Sequence, residues 1–198
     1  KTSTGTQLWA PAGAAVWSVP TIDVKRGVLY VGTGDAYTSP AAEQSDAVMA
    51  LNLETGRPVW TKQILANDAW ITGCEDDPAE RPENCPEELG PDFDFGNSPI
   101  LRTLPSGRDI IVIGQKSGVG WALDPDNEGA VLWDHRVGQG SIVGGLHWGS
   151  AADDQLAYFP NNDSPFGPAE AGGLAAVRLE TGERVWFTRP PAMACGDA

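Results

Sequence analysis

One short pattern recurs four times in the chain: a strand-like segment, a turn that contains glycine, and a closing tryptophan. The copies are Thr4–Trp9, Ala50–Trp60, Ala122–Trp133 and Ala176–Trp186. Their tryptophans follow one another at intervals of 51, 73 and 53 residues. A period near fifty residues with several short strands per period is typical of a β-propeller. We therefore predict an all-β propeller made of four-stranded blades.

The strand-like runs divide into three blades, at residues 15–62, 95–137 and 147–188, with an insertion loop at 66–94. No stretch has a sustained period of 3.6 residues, so we expect almost no helix. The closing tryptophans should dock between adjacent blades, each ring buried and each indole N–H bonded to backbone. Because propellers close with about four to eight blades, three blades predict a segment of a longer protein. The docking tryptophans are Trp9, Trp60, Trp133 and Trp186.

The charge of the chain limits its partners. It has 27 acidic and 13 basic residues, and its formal net charge is −14. This balance argues against nucleic acids and anionic membrane surfaces, and it suits a basic redox partner. No apolar run approaches the ~20 residues of a membrane-spanning helix.

Two cysteines, Cys74 and Cys85, bracket an acidic, proline-rich part of the insertion loop. A disulfide between them would restrict the unfolded loop, and two free thiols are the alternative. We favour the disulfide, which would imply an oxidising compartment. We expect Cys195 to be unpaired within this chain.

The repeat has the order Ala-x-(Asp/Glu)-x-Thr-Gly-x-x-x-Trp, best seen in Ala50–Trp60 and Ala176–Trp186. It resembles the tryptophan-docking motif of quinoprotein alcohol dehydrogenases. Members of that family are eight-bladed propellers that hold pyrroloquinoline quinone (PQQ) and Ca²⁺ on their axis. Non-catalytic propellers share the motif, so other segments must distinguish the two classes.

Two further segments resemble the metal and base positions of this family. Gly32–Asp35 is similar to its Gly-Thr-Gly-Asn segment, which implies that Asp35 ligates Ca²⁺ with a carboxylate in place of an amide. Pro91–Asn97 resembles its Trp-Asp-Tyr segment. That likeness implies that Asp94, shielded by Phe93 and Phe95, is both the catalytic base and a Ca²⁺ ligand. Asp92, two residues earlier, is expected to matter little.

Three more segments resemble the quinone contacts of the family. Trp17 matches the tryptophan that forms the floor under the quinone ring. Lys116, in Gly114–Asp124, matches a cation that contacts the quinone oxygens. Gly144–Trp148 resembles Gly-Gly-x-Asn-Trp, which implies that His147 and Trp148 bind the cofactor. Read without the family, these residues would be a core tryptophan, a turn lysine and a histidine that caps a strand.

The five segments occur in the family's order over nearly the whole chain, and among its members polyvinyl-alcohol dehydrogenases are the most similar. The resemblance implies PQQ- and Ca²⁺-dependent oxidation of alcohols, with secondary alcohols as substrates. It also implies electron transfer to a cytochrome c and a periplasmic location. The alternative is a non-catalytic propeller scaffold that binds protein partners. Such a scaffold gives no reason to place Asp35, Asp94 and Lys116 on its axis.

Overall fold

The computed structural model describes residues 1–74, 79–163 and 172–189. These residues contain twelve β-strands and no helix, as the periodicity predicts. The strands are β1 (Thr21–Asp23), β2 (Val28–Gly32), β3 (Ala47–Asn52), β4 (Pro58–Gln63), β5 (Ile100–Thr103), β6 (Asp109–Gly114), β7 (Val119–Asp124), β8 (Ala130–Arg136), β9 (Ala151–Ala152), β10 (Leu156–Asn161), β11 (Gly173–Arg178) and β12 (Arg184–Thr188). In the described part of the chain, no helix is long and apolar enough to cross a membrane.

The strands form three four-stranded sheets, each a simple antiparallel meander in chain order. The sheets run from β1 to β4, from β5 to β8 and from β9 to β12. The first strand of each sheet contacts the first strand of the next, β1 with β5 and β5 with β9. These first strands therefore form the edge at which the blades converge. The chain folds as about three blades of a β-propeller.

The core lies between the blades, and β6 shows why. The four residues Ile110–Ile113 are fully buried. Ile111 and Ile113 pack with Tyr30 and Val48 of the first blade, whereas Ile110 and Val112 pack with residues of the third. Because successive side chains of a strand point to opposite faces, a continuous apolar run is what a blade between two neighbours requires.

Each blade has an irregularity at the same place, between its third and fourth strands. The register shifts by one residue just before the tryptophan, so that Trp60 pairs with Ala50 and Trp133 pairs with Ala122. The third blade repeats this shift beside Trp186. One extra residue on one strand of an antiparallel pair is a β-bulge, which bends the strand and increases its twist. The bulge is therefore part of the repeating unit.

Two of the four tryptophans dock against the next blade, and Trp133 does so with the predicted burial and hydrogen bond. A Cβ placed on Gly182 of the third blade would lie 2.8 Å from the ring of Trp133, which is thus in close contact with that turn. The indole N–H of Trp133 donates to the carbonyl of Leu179 at 2.8 Å. The ring of Trp60 packs against Gly129 of the second blade, where a Cβ would lie 2.8 Å from it, and this ring is partly buried. Tryptophan docking thus joins each blade to the next.

The other two tryptophans do not dock in this structure, and for Trp9 the prediction is wrong. Its side chain is 79% exposed, and it lies outside the named strands. Trp186 is 39% exposed and lies beside Tyr158 of its own blade, with ring centroids 6.0 Å apart. Docking needs a neighbouring blade on the correct side. Trp60 and Trp133 each meet the glycine turn of the following blade, whereas the described residues contain no blade after the third for Trp186. Trp9 precedes the first blade but lies in none of the three sheets, so no strand holds it against that blade.

The disulfide prediction is confirmed. Cys74 and Cys85 are bonded, with Cα atoms 5.6 Å apart. The bond closes the middle of the insertion loop, and its start pairs with the first blade through a bridge between Ala36 and Ala69. Cys195 lies outside the described residues, so its predicted free state stays a prediction.

Candidate functional site

A cavity of about 720 Å³ opens at one end of the blades. Its lining comes from segments that precede a first strand or follow a second strand, together with the insertion loop. In an antiparallel meander those positions lie at the same end of the sheet. The lining residues are Ala15, Trp17, Asp35, Tyr37, Trp70, Ile71, Thr72, Asp92, Asp94, Lys116, Ile142 and Val143.

Three carboxylates meet in the cavity. One oxygen each of Asp35, Asp92 and Asp94 lies within 4.8 Å of the others, and all three residues are buried. The backbone N–H of Asp35 donates to Oδ1 of Asp94 at 2.6 Å. This bond joins the loop after β2 to the end of the insertion, so the two segments fix each other's acids.

A buried lysine contacts two of these acids. Nζ of Lys116 lies 2.7 Å from Oδ2 of Asp92 and 3.1 Å from Oδ2 of Asp94. The lysine backbone N–H also donates to the carbonyl of Asp94 at 3.0 Å. Lys116 is the one cationic side chain among the described lining residues, against three acids. The ionised site therefore has a net negative charge.

The electrostatics of this cluster favour a bound cation. Burial, and next the repulsion by Asp94, raises the pKa of Asp35. Burial also raises the pKa of Asp92, against the opposing hydrogen bond from Lys116. A cation among the three carboxylates would relieve both effects, since it stabilises the charged forms. Carboxylate oxygens are the ligands that hard cations such as Ca²⁺ prefer, so the donor set fits such an ion.

Trp17 provides a flat apolar surface beside the acids. Its ring lies against Gly96, where a Cβ would come within 2.3 Å of the ring. A Cβ on Gly34 would lie 3.2 Å from the Trp17 Nε1 and 2.9 Å from the Asp94 Oδ1. The side chain is 42% exposed and lines the cavity. The two glycines thus allow the indole to lie close to the carboxylates.

His147 and Trp148 lie behind Trp17. The His147 ring meets the Trp17 ring edge-on at 5.1 Å and stacks on the Trp148 ring at 4.2 Å. Burial and the nearby Lys116 lower the pKa of His147. Trp148 is 77% exposed, and neither residue is part of the cavity lining. The structure thus gathers Trp17, Asp35, Asp94 and Lys116 at the cavity, with His147 one ring away.

Asp92 lies in the site, although the sequence analysis expected it to matter little. This residue belongs to the acidic cluster, and its backbone has a φ of 57°, in the left-handed region. The carboxylate of Asp68 holds it there by accepting the N–H groups of Asp92 at 3.1 Å and Phe93 at 2.8 Å. The local spacing held no signal for this position, because the left-handed backbone of Asp92 and its contact with Asp68 set the direction of the side chain.

A fifth acid, Asp46, lies buried near the cluster. It is fully buried, and neither carboxyl oxygen has a hydrogen-bond partner among the described residues. Burial, followed by repulsion from Asp68, raises the pKa of Asp46 to about 9. The side chain is therefore a neutral carboxylic acid at pH 7. No sequence motif identified this residue.

Comparison with known proteins agrees with the propeller fold. A family model for the PQQ-type glucose/ethanol/alcohol dehydrogenase β-propeller domain matches residues 1–79. The chain is 47% identical over 191 residues to a polyvinylalcohol dehydrogenase of Pseudomonas sp, covering 96% of this chain and 29% of the relative. The chain belongs to the PQQ-dependent dehydrogenase β-propellers.

A second relative is the polyvinylalcohol dehydrogenase of Sphingopyxis sp. (strain 113P3). It is 42% identical over 194 residues, which are 96% of this chain and 30% of that protein. A europium-containing methanol dehydrogenase has a similar fold, with a TM-score of 0.63 and 16% identity, over 89% of this chain and 40% of that chain. The chain spans less than a third of the length of these two curated relatives.

Proposed function

We propose that the protein containing this chain is a PQQ- and Ca²⁺-dependent alcohol dehydrogenase. In this proposal the blades and the insertion between them carry its proton acceptor and part of its metal site. One observation supports the proposal most strongly: three buried carboxylates and a buried lysine meet in a cavity beside an exposed tryptophan ring. Burying such charges is costly unless they are paired or coordinate a metal, and a scaffold has no use for that arrangement.

The metal would be held by Asp35, Asp92 and Asp94 through their carboxylate oxygens. When bound, Ca²⁺ supplies a Lewis acid that polarises a quinone carbonyl, and PQQ supplies the acceptor for the alcohol's hydride. Three oxygens are fewer than the six to eight ligands that Ca²⁺ takes. These three carboxylates would therefore form one side of its coordination shell.

Asp94 would accept the hydroxyl proton of the alcohol. The N–H of Asp35 holds Oδ1 of Asp94, and Lys116 holds Oδ2. Both contacts fix the carboxylate in one orientation, which keeps the base in place to meet a substrate hydroxyl. Lys116 carries three donor hydrogens, and its two carboxylate partners account for two of them. The third would remain for a cofactor oxygen.

Trp17 would support the quinone ring, since its indole is flat, apolar and exposed to the cavity. Aromatic rings stack favourably on flat heterocycles. His147 and Trp148 would act behind it, because His147 packs edge-on against the indole. In this proposal both residues position Trp17 from behind the cofactor.

We further propose secondary alcohols of the polyvinyl-alcohol type as substrates, cytochrome c as electron acceptor, and the periplasm as location. The two curated relatives are polyvinylalcohol dehydrogenases, which supports the substrate. The net charge of −14 suits a basic electron acceptor. The disulfide supports an oxidising compartment.

The test is reconstitution of the intact protein with PQQ and Ca²⁺ after removal of metal by a chelator. We expect secondary alcohols to reduce an artificial electron acceptor only when both additions are present. A protein that binds PQQ and Ca²⁺ yet oxidises no alcohol would contradict the proposed activity. Failure to bind PQQ at all would favour the scaffold function.

A further inference from the structure

The cavity has a charged floor and an apolar mouth. Its buried residues are the three acids and Lys116. Its more exposed lining includes Tyr37, Ile142 and Val143, with exposed fractions of 42%, 37% and 42%, together with Ile71. Large apolar side chains that are exposed together around a cleft mark a binding surface.

One part of this mouth is held firmly in place. The segment Trp70–Cys74 turns back on itself, and the N–H of Cys74 donates to the carbonyl of Ile71 at 3.0 Å. Cys74 is fixed to Cys85 by the disulfide. The N–H of Trp70 donates to the Ala36 carbonyl at 2.9 Å and to Oδ2 of Asp35 at 3.0 Å. The insertion is thus bonded directly to the acidic floor.

We propose that this apolar mouth, through Ile71 and Val143, binds the aliphatic chain of the alcohol and selects long secondary alcohols over short ones. The inference rests on the proposed function. An alcohol whose hydroxyl reaches Asp94 must extend its carbon chain out of the charged floor, and the neighbouring surface is apolar. Aliphatic carbon gains free energy there in proportion to the area it buries.

The experiment measures how KM depends on the chain length of the alcohol in two variants of the intact holoenzyme, Ile71→Ala and Val143→Ala. The substrates are 2-propanol, 2-octanol and short polyvinyl-alcohol oligomers. We expect KM for the long alcohols to rise about tenfold in each variant, because losing apolar contact at an open mouth should have an effect near the low end of what apolar contacts contribute in a closed pocket. KM for 2-propanol, kcat and PQQ affinity should stay unchanged.

Val24→Ala is the matched control for Val143→Ala. Val24 is 84% exposed in the turn after β1 and is not part of the cavity lining. The Val24→Ala variant should have the same KM as the parent for every substrate. Equal losses for all alcohols with weakened PQQ binding would place Ile71 and Val143 against the cofactor and overturn the proposal. Unchanged kinetics at every chain length would overturn it as well.

Calorimetric binding of the oligomers to the intact protein separates this proposal from the proposed activity. If the protein oxidises no alcohol, the activity fails, yet oligomer binding that is about tenfold weaker in Ile71→Ala would still support the apolar mouth. Oligomer binding that is equal in Ile71→Ala and the parent would overturn the inference, whether or not alcohol is oxidised.

Discussion

Asp94 has both carboxylate oxygens engaged before any ligand arrives, one by a backbone N–H and one by Lys116. The resemblance indicated Asp35 and Lys116, which follow β2 and β6, and Asp94, which lies at the end of the insertion before β5. It gave no reason to include Asp92, whose direction depends on a left-handed backbone and on Asp68, 24 residues earlier. Sequence patterns report local spacing, and such a distant carboxylate contact leaves no local signal.

For Asp94→Asn in the intact holoenzyme, we expect kcat to fall by at least ~10², the low end of general-base contributions. The amide keeps the size of the side chain but cannot accept the proton. PQQ should still bind, so the measurement is turnover at saturating Ca²⁺ together with PQQ affinity. Asp134→Asn, at an exposed position on β8, is the control. Near-normal turnover in Asp94→Asn would show that another group is the base; Asp92 shares Lys116 and would be examined next.

For Asp46→Asn, we expect a flatter dependence of stability on pH. The pKa of Asp46 is raised from 3.8 to about 9 in the folded protein. The folded state therefore binds a proton that the unfolded state releases, and stability falls as pH rises between these values. Asparagine does not titrate and also tolerates the positive φ of 47° at this position. Melting temperatures of the metal-free protein at pH 5, 7 and 9 test this, and parallel profiles for variant and parent would contradict it.

At the scale of strands and turns, most of the fold was predictable. The repeat and the apolar patterning predicted an all-β chain almost without helix, because a blade between two neighbours needs apolar residues on both faces. The patterning did not predict that Trp9 would stay exposed, because Trp9 lies outside the strands that hold Trp60 and Trp133 against the next blade. It also could not show how the disulfide-closed insertion would meet Asp35.

Two glycines, one that contacts a docked tryptophan and one that does not, provide a matched pair of variants. Gly182 and Gly107 both have positive φ, 73° and 84°, so a Cβ adds similar backbone strain at either position. A Cβ on Gly182 would lie 2.8 Å from the Trp133 ring, whereas one on Gly107 would meet nothing within 4 Å. We expect Gly182→Ala to lower the free energy of unfolding by about 1–3 kcal/mol more than Gly107→Ala, the usual cost of overpacking. Denaturant unfolding measures the difference, and equal losses would show that Trp133 docking adds little.

Across the whole molecule, an ionic network joins the first and second blades at their other end. Arg26 lies 2.7 Å from Asp23 in its own blade, and 2.8 Å and 2.5 Å from Asp109 and Asp126 in the next. Lys25 also reaches Asp109, at 2.8 Å. Arg26 and Asp109 are largely buried, so the guanidinium is a bridge between blades. Tryptophan docking and this network together set how the two blades meet.

For Arg26→Gln we expect a loss of about 3 kcal/mol in the free energy of unfolding at pH 7, because buried carboxylates lose their partner. Hydrogen bonds from Lys25, Thr103 and Arg26 hold the pKa of Asp109 below its usual range. The network's contribution is thus present above pH 4 and is lost as pH falls toward the folded pKa. In denaturant unfolding, the difference in free energy of unfolding between parent and variant should be smaller at pH 3 than at pH 7. Arg57→Gln, at an exposed position, is the control, and an equal loss there would contradict the role of the network.

The position of the insertion between blades has a consequence for engineering. It begins after β4, ends before β5 and carries Asp92, Asp94 and the turn at Ile71, yet no blade register depends on its length. Both of its ends are bonded to the loop that follows β2, through Ala36 to Ala69 and from Phe95 to Thr33. We therefore expect that residues 66–94 can be replaced as a unit. Grafting a homologous segment of different length would change chemistry and specificity together and leave the supporting architecture intact.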